Sequence, residues 1–241
     1  VMYMPSCSKD AEPVFEVYEG DPLDVDSVLA EYDDWSDVMA WPRHPDETKA
    51  LRTATTKAQD PRTKMGTIGL FCRAFTIAEG IERFLSDVYE PGTMANRYTY
   101  LHGTSANGLQ IFPDQDLAYS HQDSDPVADG RTYNLFDLVR VHKFGHLDER
   151  VKEFTPDAKK PSHLAVEQWA IRLPEVKRLA GAEMMSDLQT DFADEDFDDD
   201  EPEDDSWTEK LELHHKTGEV LPTASNVELI LTHGPWRGVL G

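Results

Sequence analysis

The stretch "LAYSHQDSDPVADGRTYNLFDLVRVHKFG" spans Leu117 to Gly145. Its reading decides the fold, because it passes from a strand pattern through a turn to a helix pattern. "DLAYSH" is strand-like and follows the turn signal "PDQ". Asp125-Pro126 and Asp129-Gly130 are turn pairs. "NLFDLVRVHKFG" then reads as a helix, with Asn134 as N-cap, Asp137 in the first turn and Gly145 as a left-handed stop. His121, Asp123 and Asp125 alternate, so a continuing strand would put them on one face as metal ligands. A break in the strand instead leaves each Asp bonded to its own turn. His142 and His146 stand four apart, a zinc-compatible spacing, but Gly145 between them places His146 past the predicted helix end.

Upstream lie two more strand signals. "RYTYLHG" (97–103) is aromatic and alternating, and "GLQIF" (108–112) follows the loop "TSANG". "TIAEGIERFLSDVYEPG" (76–92) predicts a helix with a Thr76/Glu79 capping box. Ile77, Ile81, Phe84, Leu85 and Val88 form its apolar stripe. Downstream, Ser162 is read as the cap of a helix with Val166, Trp169 and Ala170 inward, and Pro174 opens another. Near the beginning, "PVFEVYEG" (13–20) alternates as a strand, and Asp24 or Asp26 starts a short helix. The DxD of Asp24 and Asp26 is a possible metal pair, against the commoner role of Asp at a helix start. The predicted fold class is therefore α+β: a small antiparallel sheet or ribbon packed with several helices.

Charge is distributed unevenly. The chain has 241 residues and a net charge of −24, yet "DFADEDFDDDEPEDD" (191–205) alone holds eleven acids and no base. Such a run repels itself and buries no apolar area, which predicts a disordered linker. The segment 43–73 has the opposite bias, with Lys49, Arg52, Lys57, Arg62, Lys64 and Arg73. It is read either as a phosphate-contacting strap or as a solvated linker. Cys7 and Cys72 are the only cysteines, so neither a disulfide framework nor a cysteine zinc knuckle is available. That usage suits a reducing cytoplasm. No apolar run approaches a membrane span, and neither a GxSxG nor a P-loop motif occurs.

A surface hypothesis remains. Tyr98, Tyr100 and His102 share parity, and Tyr119 and His121 lie on a neighbouring strand. Such rings, if exposed, stack single-stranded bases at roughly 1–3 kcal/mol each. Arg131, Arg140, Lys143 and Lys152 would contact phosphates. The competing reading packs the tyrosines against the helices.

Taken in order, "VMYMPSCSKDAEPVFEVYEGDPLDVDSVLAEYDDWSDVMAWP", "GTIGLFCRAFTIAEGIERFLSDVYEP", the run from "RYTYLHG" through "FDLVRVHKFGHLDE", and "NVELILTHGPWRGVLG" resemble the virulence-associated-E type of phage and prophage primase–helicase. The resemblance implies a primase–polymerase domain followed by a P-loop helicase domain. Residues 1–42 would close the polymerase domain, 43–73 would be a basic linker and 74–190 an α+β connector. Residues 191–210 would be an acidic linker and 211–241 the start of the helicase. The polymerase aspartates and the Walker lysine would lie outside this chain, so Mg²⁺ and NTP belong to the parent protein and no cofactor to this piece. The middle region is also similar to a cysteine-free zinc ribbon of bacterial primases. Gln122 replaces the second histidine of the usual "YSHH", and Leu135 replaces an alanine. The function so implied is a non-catalytic connector in the bacterial cytoplasm that engages single-stranded DNA. It would use Tyr98, Tyr100, Tyr119, His121, Arg131, Arg140, Lys143, Lys49, Arg52, Lys57, Arg62 and Lys64. Its partners would be DNA and other domains of the same polypeptide, with oligomerisation through the helicase part and no membrane. The alternative is a structural or protein-interaction module.

Overall fold

A computed structural model describes residues 20, 23–37, 40–42, 59–152, 154–191 and 205–234. The chain divides into two compact units, 1–35 and 36–241. In the first, helix α1 (Val25–Leu29) starts at Asp24, whose carboxylate accepts from the Ser27 backbone N–H. Asp24 thus caps a helix start. The predicted strand at 13–19, the basic residues Lys49, Arg52 and Lys57, and the acidic run at 192–204 lie outside the described residues.

The second unit is α+β. Its four-stranded antiparallel meander is ordered β1 (Tyr89–Pro91), β2 (Arg97–Tyr100), β3 (Leu109–Phe112) and β4 (Leu117–Ser120). Around it run helices α2 (Gly66–Ala74), α3 (Ile77–Phe84), α4 (Leu135–Phe144), α5 (Pro161–Ala170), α6 (Pro174–Asp191) and α7 (Ala224–His233). Both sheet edges are blunted. β1 is three residues long and ends in proline. Ala118 on β4 exchanges backbone hydrogen bonds with Tyr133, of 2.7 and 2.8 Å.

The core is one cluster. Phe71, Phe75, Phe84 and Trp169 meet edge-on or tilted, with centroids 5.0–5.8 Å apart. Each such pair adds about 0.5–1.5 kcal/mol beyond area burial. The cluster continues through Leu135, Phe136, Leu138 and Val139 of α4 to Trp207, Leu211 and Leu213.

Several expectations change here. Residues 59–73 are not a linker: Asp60 caps a 3-10 turn (Pro61–Thr63), and α2 buries Leu70, Phe71 and Cys72. Burial pushes the Cys72 thiol up to about 12, leaving it protonated and unreactive. The helix predicted through Val88 ends at Phe84, because 89–91 pair with β2 instead. Its capping box at Thr76 and Glu79 is present. Gly145 is not a left-handed stop; its φ of −57° carries the chain into a 3-10 turn, Gly145–Asp148. α5 begins at Pro161, and Ser162 lies inside it, accepting no cap role. Residues 205–234 are not a separate domain, since Trp207 and Leu211 are core residues and the Thr67 hydroxyl bonds the His215 carbonyl at 2.5 Å. A 3-10 turn, Asp205–Lys210, opens this stretch.

Candidate functional site

The turn between β4 and α4 is built around one carboxylate. Asp125 is 3% exposed. Its Oδ1 accepts from the Val127 N–H at 3.1 Å, closing the turn that Asp-Pro predicts. Its Oδ2 accepts from the hydroxyls of Ser120 (2.9 Å) and Tyr89 (2.8 Å). The Tyr89 oxygen also lies 2.8 Å from His142 Nε2. A hydroxyl carries one proton, and Tyr89 gives its own to Asp125. The 2.8 Å contact therefore needs the His142 ring as the Nε2–H tautomer, donating to Tyr89. Burial, against the pull of Asp125, holds the imidazole below its ordinary range. Burial and then Asp125 push the Tyr89 phenol far above its own.

This constellation pairs Ser, His and Asp without forming a nucleophile. The Ser120 hydroxyl points to the carboxylate, not to the imidazole. The alternating face that a continued strand would have given His121 and Asp125 is not formed either. His121 Nε2 contacts Gln110 at 3.4 Å, whereas Asp125 is enclosed by Tyr89, Ser120 and Val127. His146 is exposed and His142 is interior, so those two do not act as a pair. Gln122 is 4% exposed and fills the space over Gly103, where a Cβ would come within 1.4 Å of its amide.

The strand register separates the tyrosines. Tyr98 pairs with Leu109, which pairs with Ser120; Arg97 pairs with Gln110, which pairs with Tyr119. Adjacent rows point to opposite faces. Tyr98 and Tyr100 therefore enter the core, at 7% and 9% exposure, while Tyr119 lies on the other face. The three rings share no surface, and the expected exposed stacking row is not formed. Desolvation raises both the Tyr98 and Tyr100 phenols. Tyr119 is itself buried, with the His121 ring 4.8 Å away.

The expected phosphate ligands are largely occupied. Arg140 is interior, held by Asp137 (3.1 Å), Asp157 (3.5 Å) and Asp148 (3.9 Å). α5 and the 145–148 turn pack against α4 beside it. For Asp157, burial raises the pKa, but Lys160, Arg140 and Arg131 outweigh it and hold the carboxyl low. Arg131 is more exposed, yet its Nε bonds Asp129 at 2.7 Å and its plane lies over the Tyr133 ring. Arg62 grips Asp60 with two nitrogens. Arg73 grips Glu183 on α6 the same way, at 2.8 and 2.9 Å. Lys143 is exposed. Lys64 lines a cleft of about 450 Å³ with Met65, Arg73, Glu183, Asp187 and Glu219, whose charges are mixed rather than cationic.

Sequence reading missed Tyr89. Its signal was a ring-bearing residue two before Pro91, a strand-edge pattern hidden by the helical stripe ahead of it.

Among the described residues no helix is long and apolar enough to cross a membrane. No curated protein and no solved structure matches this chain. Residues 1–44 match the family model of the VapE N-terminal domain, so this part of the chain is similar to that domain.

Proposed function

We propose that this chain is a connecting piece of a VapE-type phage primase–helicase, and that its α+β module is a scaffold between working parts rather than a platform for stacked bases. One observation carries the reading. Four polar residues of the "YSH…DP…FDLVR.HKFG" pattern turn inward: Ser120 bonds Asp125 directly, His142 reaches Asp125 through the Tyr89 hydroxyl, and Arg140 is held by three aspartates. A pattern spent on interior hydrogen bonds specifies a shape. In this reading Mg²⁺, NTP and any ring assembly belong to the polymerase and helicase parts of the parent protein.

Single-stranded DNA, the partner expected from the sequence, is left with backbone contacts. They would go through Lys143, Arg131, Arg62 and Lys64 on the module and through Lys49, Arg52 and Lys57 ahead of it in sequence. Such contacts attract weakly and without sequence preference. The test is fluorescence anisotropy of a labelled oligonucleotide titrated with the chain at about 50 mM and about 200 mM salt. The scaffold reading expects binding no tighter than about 10⁻⁵ M, vanishing at the higher salt. Submicromolar binding that persists at the higher salt overturns it.

A further inference from the structure

We propose that His142, Tyr89 and Asp125 form a proton-sensitive latch, which ties the 121–134 turn to α4 and β1 at neutral pH and releases it in mild acid.

The latch joins three elements separated in sequence. Tyr89 comes from β1, Asp125 from the turn and His142 from the third helical turn of α4. The chain from Gln122 to Asn134 is held in two halves. The Asp129–Arg131–Tyr133 cluster, the buried Tyr133 ring and the Ala118–Tyr133 bridge anchor the second half, while Asp125 and the buried Gln122 and Val127 anchor the first. The His142 side chain is 4% exposed and the Asp125 side chain 0%. Nothing else in the turn supplies a carboxylate to the interior.

The proton count explains the sensitivity. With the ring neutral, Nε2–H donates to Tyr89, whose hydroxyl donates to Asp125, so each donor has an acceptor. A second proton on Nδ1 creates a buried cation. The groups facing it are the rings of Tyr89 and Tyr100 (centroids 5.2 and 5.9 Å away), the Asp125 Oδ1 at 3.5 Å, and more distantly Asp87 and His102. Asp125 and Asp87 favour that cation; burial and His102 oppose it, and the opposition prevails. Opening the turn lets water reach the ring and removes the penalty.

The sign follows. A histidine held low in the closed state takes up its proton more readily when open. Closure is therefore strongest above the ordinary value of 6.5 and weakens as pH falls below it. One proton linked to opening gives at most about a tenfold loss of protection per pH unit.

The experiment is amide hydrogen exchange of the whole chain, corrected for intrinsic rates, between about pH 7.5 and pH 5.5. It is paired with an NMR titration of the His142 ring. The expected result is a fall in protection at Asp125, Val127 and Ala128 approaching tenfold per unit below about pH 6.5. The ring should titrate below its ordinary value. His142→Gln keeps a donor for Tyr89 but cannot titrate, and its turn should hold constant protection over the same range. Equal losses in wild type and variant overturn the latch, as does a His142 ring that titrates at or above 6.5. If the variant does not fold, the wild-type ring titration alone decides.

Discussion

Tyr100 and Tyr119 carry the same side chain and fill different roles, because register places them on opposite faces of one sheet. Parity within one strand was readable, so Tyr98 and Tyr100 were correctly placed together. Parity between strands depends on turn lengths and pairing, which local pattern does not fix. Arg140 shows the same limit. As an arginine on a predicted helix it suggested a phosphate ligand; its three aspartates come from positions 137, 148 and 157, and two of those are non-local. Removing the guanidinium, itself 4% exposed, takes their shared cation from three half-buried carboxylates and leaves a void where it packed. Arg140→Ala is expected to cost about 3–5 kcal/mol in urea unfolding. Arg140→Lys should recover only part, because an ammonium cannot span the fork. A loss under about 1 kcal/mol for Arg140→Ala would mean that the network is solvated and of surface strength.

At the scale of elements, ends written in neighbouring residues were legible. Asn134 accepts from the Asp137 N–H at 2.9 Å, and Thr76 and Glu79 bond reciprocally. Ends set by distant residues were not. The first N–H of α3, at Ile77, is bonded at 2.8 Å by Asp116 from the β3–β4 turn. Asp116 has a φ of 53°, a conformation asparagine tolerates well and alanine poorly. Burial raises its carboxyl pKa, and its second oxygen has no hydrogen-bond partner among the described residues. A raised folded-state value means that the acid stabilises below its unfolded pKa and that this stability is lost as pH rises through the folded one. At neutral pH the charge is therefore a burden. Asp116→Asn keeps an acceptor for Ile77 and is expected to match or exceed wild-type stability at neutral pH, the advantage shrinking in acid. Asp116→Ala should lose about 1–2 kcal/mol through the missing cap. Thermal unfolding of both variants across pH checks the pair; an Asn variant as damaged as the Ala variant would show that the charge itself is needed.

At the scale of the molecule, the sequence suggested five segments, yet residues 59–191 and 205–234 share one core. Composition misled here. The basic bias of 43–73 obscured Leu70, Phe71 and Cys72, which pack into that core. The acidic run made "SWTEKLELHH" look detached, although Trp207, Leu211 and Leu213 return to the core and Lys177 bonds the Glu209 carbonyl at 2.9 Å. The α+β class survived because strands and helices announce themselves by period; the shared core of 59–73 and 205–234 was not legible because contact between distant segments has no period. A single core also means one unfolding transition for this module. Calorimetry should give one cooperative peak for the module that holds both Trp169 and Trp207, whereas two separable transitions within it would restore a domain boundary near residue 205.

The central claim is that the aromatic and polar residues of the strand–turn–helix motif face inward. Its most direct test is NMR of the chain with ¹³C-labelled tyrosine rings, titrated with a single-stranded oligonucleotide. The scaffold account predicts that the Tyr98 and Tyr100 ring signals stay in place while shifts, if any, gather at Lys143 and Arg131. Ring shifts at Tyr98 and Tyr100 that saturate with added DNA would contradict it.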